Sequence, residues 1–194
     1  MIISIHQPEH FPYLGFFQKM QACDVFVILD NVKFRKNYYQ NRNRFINRSG
    51  HEEWFTVPVE KNANSKLINE VLVSQDPSWK KKVSKQIKFN LGHDVEDVYN
   101  VSNKIADINL ESIKWCREKL NITTPMILSS SLEASGSKTD LILDICKKMG
   151  AIEYISGASG KDYLDVEKFD DLGIKLTFFQ PKVDNLMSTI ASIR

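Results

Sequence analysis

Cysteine is scarce in the 194-residue chain: Cys23, Cys116 and Cys146, each in an apolar or helical context. Their spacing makes neither a disulfide framework nor a metal knuckle, so they are expected as buried free thiols of a cytoplasmic protein. Histidine is sparse too. His10, His51 and His93 have no H-x-x-H or H-E-x-x-H partner, which argues against a zinc site, and no metal ligands are expected. No apolar run approaches the ~18 residues of a membrane span. Met1–Ile5 has no basic flank and reads as a first strand rather than a signal peptide. There is no G-x-S-x-G elbow, no internal repeat and no low-complexity linker. The charge excess is small, a formal +2 with a pI near 8.3. It gives no electrostatic reason to expect a nucleic-acid or membrane-surface protein.

What is present is a globular composition, 42% hydrophobic and 26% charged, with length for one sizeable core. Residues 2–5 read as a strand, 6–12 as a proline-stiffened loop, 13–22 as a short helix, and 25–29 as a strand apolar on both faces. That order is one βαβ unit and implies a parallel sheet. Further on, 54–59 and 68–73 read as strands joined by a 62–66 loop. Asp76-Pro77 opens a helix whose stripe is Trp79, Val83, Ile87 and Leu91. A helix or helix pair fills 96–120. Strands come next near 126–128, 154–155 and 174–179, with a helix over 138–148 stopped by Gly150. The fold expected is a single three-layer α/β, Rossmann-like domain over 1–194. It has a mostly parallel sheet, an antiparallel insert at 50–75 and a short C-terminal tail. Trp54, Trp79 and Trp115 fall on apolar patterns and are expected in the core.

In such sheets ligands sit beyond the carboxyl ends of the strands. Three polar clusters are expected to converge there: His6-Gln7-Pro8, Asp30 with the residues just after it, and the turn Ser156-Gly157-Ala158-Ser159-Gly160. His6 can hold a phosphate, donate to a carbonyl or act as a base; a histidine that merely pins its loop is the alternative. Asp30 can coordinate Mg²⁺, bind a hydroxyl or ammonium, act as a base, or cap the next turn. Gln7 orients a polar ligand without titrating. Lys33, Arg35, Lys36, Arg42, Arg44 and Arg48 alternate with Phe34, Tyr38, Tyr39 and Phe45, a pattern that suits a diphosphate and also, as a rival, RNA. The 156–160 turn can cradle an anion but lacks the lysine of a P-loop, and Tyr163 stands close behind it.

Several of these residues stand in a longer pattern. His6-Gln7-Pro8-x-x-x-Pro12-Tyr13-Leu14-Gly15-Phe16-Phe17-x-Lys19 comes first. Next are Asp24-x-Phe26-Val27-x-Leu29-Asp30-x-Val32-x-Phe34-x-Lys36, Asn41-Arg42-Asn43-Arg44 and Trp54-Phe55-Thr56-Val57-Pro58-Val59. Last is Tyr154-Ile155-Ser156-Gly157-x-Ser159-Gly160-x-x-Tyr163-Leu164. Together they resemble the WbqC-like family, whose members usually continue further at the C-terminus.

The resemblance implies work in surface-polysaccharide (O-antigen, lipopolysaccharide) biosynthesis. The expected activity is transfer of glycine or a related acyl group to the amine of a nucleotide-linked amino sugar. His6 and Asp30 are the catalytic candidates. Gln7, Tyr13, Lys36, Asn41, Arg42, Asn43, Ser156, Gly157, Ser159, Gly160 and Tyr163 are the substrate-binding candidates. The partners implied are the sugar nucleotide and an acyl or aminoacyl donor, with ATP and Mg²⁺ as the candidate cofactors. Nucleic acid is not expected as a partner, and a homodimer is left open. A more distant likeness to the nucleotidyltransferase superfamily rests on a first strand followed by His10-x-x-Tyr13. It departs from that superfamily's H-x-G-H element at Pro12 and Tyr13. Nucleotidyl transfer with ATP or CTP, and a non-catalytic binding role in the same pathway, are the alternatives.

Overall fold

A computed structural model describes residues 1–193. In chain order the elements are β1 (Ile2–His6), α1 (Leu14–Gln21), β2 (Val25–Ile28), β3 (Arg42–Ile46), β4 (Glu52–Thr56), α2 (Ser78–Leu91), α3 (Ile105–Lys119), β5 (Met126–Leu128), α4 (Thr139–Lys148), β6 (Glu153–Gly157), α5 (Val166–Asp170) and β7 (Lys175–Phe179). Short 3₁₀ turns punctuate the loops. The chain forms two compact units, each discontinuous in sequence.

The first unit takes residues 1–7, 15–29 and 123–184. Its five strands are all parallel, in the order β5-β2-β1-β6-β7. Counted within the sheet alone this is 3-2-1-4-5, the doubly wound arrangement. The expectation of a parallel, Rossmann-like sheet is met. The central strands are apolar on both faces, as β1 and β2 read, because helices must cover both sides of a parallel sheet. Ile3, Phe16, Phe17, Met20, Phe26, Val27, Ile145 and Phe169 are buried there. The chain leaves β1 to one side for β2 and to the other for β6, so the switch point lies between β1 and β6. Ser4 stands opposite Ile155, and continuing that register brings His6 level with Gly157.

The second unit takes residues 8–14 and 30–122 and the described residues from 185 on. It holds an antiparallel ribbon, but not between the strands expected. β4 pairs upstream with β3, Arg44 opposite Trp54, in a stretch whose sequence has no clean period. Residues 68–73 are not a strand: Ile68–Glu70 is a 3₁₀ turn, and Val73 and Leu72 make only isolated bridges to Val59 and Lys104. Buried Ile68, Val71 and Val73 imitate strand alternation while anchoring a coiled segment. The helix expected from residue 96 begins at Ile105, after a 3₁₀ turn at Asp97–Tyr99. α2 starts as expected: both oxygens of Asp76 hold Ser78, one at its N–H and one at its hydroxyl, each at 2.9 Å. It stops at Gly92, whose φ of 82° is left-handed. The tail is built into this unit. Ser188 donates its hydroxyl to the Phe11 carbonyl at 2.6 Å, and the Thr189 N–H reaches the Pro12 carbonyl at 2.9 Å.

Candidate functional site

In the first unit His6 is the last residue of β1 and half-buried. Its Nδ1 lies 2.9 Å from the Gln7 carbonyl oxygen, which can only accept. The proton is therefore on Nδ1, and Nε2 carries the lone pair. The edge of the ring meets Phe16 at 4.9 Å, with the planes at 78°. Burial, with the Lys19 ammonium nearby, pushes the imidazole down to about 3, against the Gln7 hydrogen bond that works to raise it. His6 is thus a neutral, oriented imidazole at ordinary pH.

Lys19 is not among the expected site residues. It lies on the buried face of α1 with Phe16 and Met20, donates to the Ile5 carbonyl at 3.1 Å, and sits 5.6 Å from the Phe26 ring centre. A lysine three residues after Phe16 on an otherwise apolar stripe is the signal that could have marked it.

The 156–160 turn is on the same edge of the sheet. Ser156 is buried and donates its hydroxyl to the Gly157 carbonyl at 3.2 Å. Residues Ala158–Asp162 form a 3₁₀ turn that leaves Ser159 and Tyr163 exposed. The structure gives Gly160 a packing reason. A Cβ there would fall 2.1 Å from Ser156 Oγ and 3.0 Å from Leu164 Cδ1. Lys161 lies over the Phe178 ring, 5.5 Å from its centre. One unit therefore holds His6, Gln7, Ser156, Gly157, Ser159, Gly160 and Tyr163.

The second unit holds the other candidates. Asn41 and Asn43 are buried, and their amides hold the backbone. Asn41 donates to the Val57 carbonyl at 3.0 Å and accepts the Asn37 N–H at 2.9 Å. Asn43 donates to the carbonyls of His10 and Phe11, at 3.2 and 2.8 Å. Phe11 needs this clamp because its φ of 42° is left-handed. Asn109 holds the same loop through Pro8 and also binds the Gln40 carbonyl. His10 is buried with Nε2 3.1 Å from the Tyr99 hydroxyl. Burial pushes it down to about 3, opposed by the Asn109 amide. Tyr13 is half-buried and its phenol is pushed up to about 12, by burial first and then by Glu9 and Tyr39.

Asp30 is buried just after the chain leaves β2, and its carbonyl accepts the Asn69 N–H at 3.0 Å. Lys36 is exposed on a loop fixed by its own N–H to Asn64 Oδ1 at 2.8 Å. Arg42 lies over the Trp54 ring, 4.3 Å from its centre. Contrary to expectation, Trp54 is only half-buried, as is Trp115. All three cysteines are buried free thiols, their pKa values raised by burial. Among the described residues no group of three or more His, Cys, Asp or Glu side chains is placed to hold a metal ion.

The profile of the WbqC-like protein family matches residues 7–185, nearly the whole chain. The chain belongs to the WbqC-like protein family. It is also 30% identical, over 190 residues, to the uncharacterized protein Rv1507c of Mycobacterium tuberculosis, covering 91% of this chain and 81% of that protein. No solved structure matches. The matched span includes every expected site residue except His6, which lies one residue before it. No helix among the described residues is long and apolar enough to cross a membrane.

Proposed function

We propose that this WbqC-like chain forms an amide on an amino sugar carried by a nucleotide, during surface-polysaccharide biosynthesis. The reaction joins the sugar nitrogen to the carbonyl carbon of glycine or a related acid. The bond from that carbon to its leaving group breaks, and one N–H proton departs. A carboxylate and an amine do not condense unaided in water, so the acid arrives activated. With ATP, the carboxylate oxygen bonds to the α-phosphorus, diphosphate leaves, and the amine then displaces AMP from the acyl-adenylate.

The observation that carries this reading is the sheet edge of the first unit, where β1 and β6 present a neutral imidazole, an amide and a serine-glycine turn at the switch point. That is where doubly wound sheets bind nucleotides. A histidine with a pKa of about 3 stores no proton at neutral pH. It suits an orienting role at this edge, lining up the attacking amine with the carbonyl rather than storing its proton. The buried Lys19 supplies positive charge at the same edge, the chemistry that a diphosphate requires.

Thermal shift tests the binding half. Selective binding of a UDP- or dTDP-amino sugar raises the midpoint by mass action. His6→Ala is expected to abolish the shift at equal ligand concentration. An equal shift in the variant would remove His6 from the site. The doubly wound order also supports a second reading, nucleotidyl transfer, for which ATP or CTP alone would give the shift.

A further inference from the structure

The β3–β4 ribbon has an open face that the proposed reaction does not use. Arg42, Arg44, Trp54 and Thr56 share it by register. Both guanidinium carbons approach the Trp54 ring, at 4.3 and 5.3 Å from its centre. Arg44 is neutralised by Glu52, 3.1 Å away. Arg42 meets the indole instead, and its Nε is buried with no hydrogen-bond partner among the described residues. Beside this ladder runs a groove of about 640 Å³, within the range of small-molecule sites. Trp54, Pro58, Trp79 and Val83 form its apolar walls. Lys82, exposed on α2, and the hydroxyl of Thr56 stand at its polar side. The one carboxylate in the lining, Glu53, accepts Gln86 Nε2 at 2.6 Å and Asn47 Nδ2 at 2.9 Å. The groove therefore joins two indoles to one lining cation, Lys82, with its acid engaged by amides, and Arg42 lies next to it over the Trp54 ring.

We propose that this groove binds a pyranose ring bearing an anionic group, as a second saccharide subsite confined to the second unit. The C–H face of a pyranose is apolar and packs on indole, which offers a large rigid surface. Its hydroxyls suit Thr56 and the side-chain amide oxygen of Gln86, and its anion suits Lys82 in the lining, with Arg42 adding positive charge from beside Trp54. A neutral sugar would leave the cations uncompensated, and a purely apolar ligand would strand the polar side. This inference rests on the saccharide chemistry proposed above, but its test reads binding without any turnover, so the two fail separately.

The chain has three tryptophans, so the indole N–H region of a ¹⁵N–¹H NMR spectrum holds three signals. Titration with glucuronic acid and with glucose 1-phosphate is expected to move Trp54 and Trp79 saturably and leave Trp115 in place. The two ligands separate a carboxylate from a phosphate anion. Glucose at the same concentration is expected to leave all three in place. Lys82→Glu, an exposed position that keeps the fold, is expected to weaken the acidic sugar about tenfold, the loss of one charge-assisted contact. Arg42→Gln is expected to act in the same direction. Three outcomes overturn the proposal: no saturable movement with either anion, equal movement with glucose, or movement with UMP alone.

Discussion

His6, half-buried at the sheet edge, and His10, buried within the 8–14 loop, are both neutral, and they set a shared pH signature. Each falls to about 3 in the folded chain from an ordinary 6.5. Above pH 6.5 neither state binds the proton and stability is full. Below it the unfolded chain takes up protons that the folded chain refuses, so stability is lost as pH falls towards 3. The slope is about 1.4 kcal/mol per pH unit for each histidine. The lowered carboxylates, Glu60, Asp76, Asp94, Asp144 and Glu153, act in the same direction but only at lower pH, near and below their ordinary range. Urea melts between pH 6.5 and 5 are expected to show a falling midpoint, and His10→Phe is expected to reduce that fall. A flat midpoint would contradict the lowered pKa of both rings. At Gly160 a second residue-scale test applies. Gly160→Ala forces a methyl group onto Ser156 and is expected to cost about 1–3 kcal/mol in denaturant melts. Adding Ser156→Gly is expected to recover most of it, since the clash is with that side chain.

Among the elements, the 8–14 loop is held in shape by side chains from elsewhere in its unit. Asn43, Asn109, Ser112 and Ser188 all bind its backbone. Asn43→Ala strands the buried His10 carbonyl and leaves the Phe11 carbonyl with Ser188 as its remaining donor, and the expected loss is about 1–3 kcal/mol. Faster amide exchange over residues 8–14 would locate it. This dependence also shows where the sequence was legible. β1, β2, α1 and β7 follow from apolar runs and spacing, because a buried parallel strand needs little but apolar side chains. β3 was invisible because its outward residues are arginines lying on an indole and its inward Asn43 is a polar clamp. Residues 68–73 deceived because three buried aliphatics at near-alternate spacing look the same in a strand and in an anchored coil. At the site, strand-end position singled out His6 and the 156–160 turn. Asn41 and Asn43 were expected at the substrate, and only the structure reveals that their amides face backbone. Lys19 stood in the family pattern but was not expected at the site, because a lysine on a short helix is usually solvated.

The chain threads between its two units at residues 7/8, 14/15, 29/30, 122/123 and 184/185. Each unit is therefore assembled from distant segments, and the long 30–122 stretch is not a domain by itself. It lacks buried Phe11 and the Thr189–Ala191 turn, both part of the same unit. A 30–122 fragment is expected to give a poorly dispersed NMR spectrum, where the whole chain gives a dispersed one. A fragment with native dispersion would show that the flanking segments are dispensable. The same threading sends the chain straight from the His6 edge into the clamped 8–14 loop, so the loop is joined to β1 with only Gln7 between.

Amide formation itself is the measurement that bears most directly on the function. Purified protein is incubated with a UDP- or dTDP-amino sugar, glycine, ATP and Mg²⁺, and in parallel with activated glycine, and the sugar nucleotide is followed by mass spectrometry. The sugar nucleotide is expected to gain the mass of one glycyl or related acyl residue. His6→Gln is expected to slow that gain by about 10²-fold, the loss of one positioning group. An unchanged sugar nucleotide with every donor, from folded protein that also shows no thermal shift, would contradict amide formation as the activity of this chain.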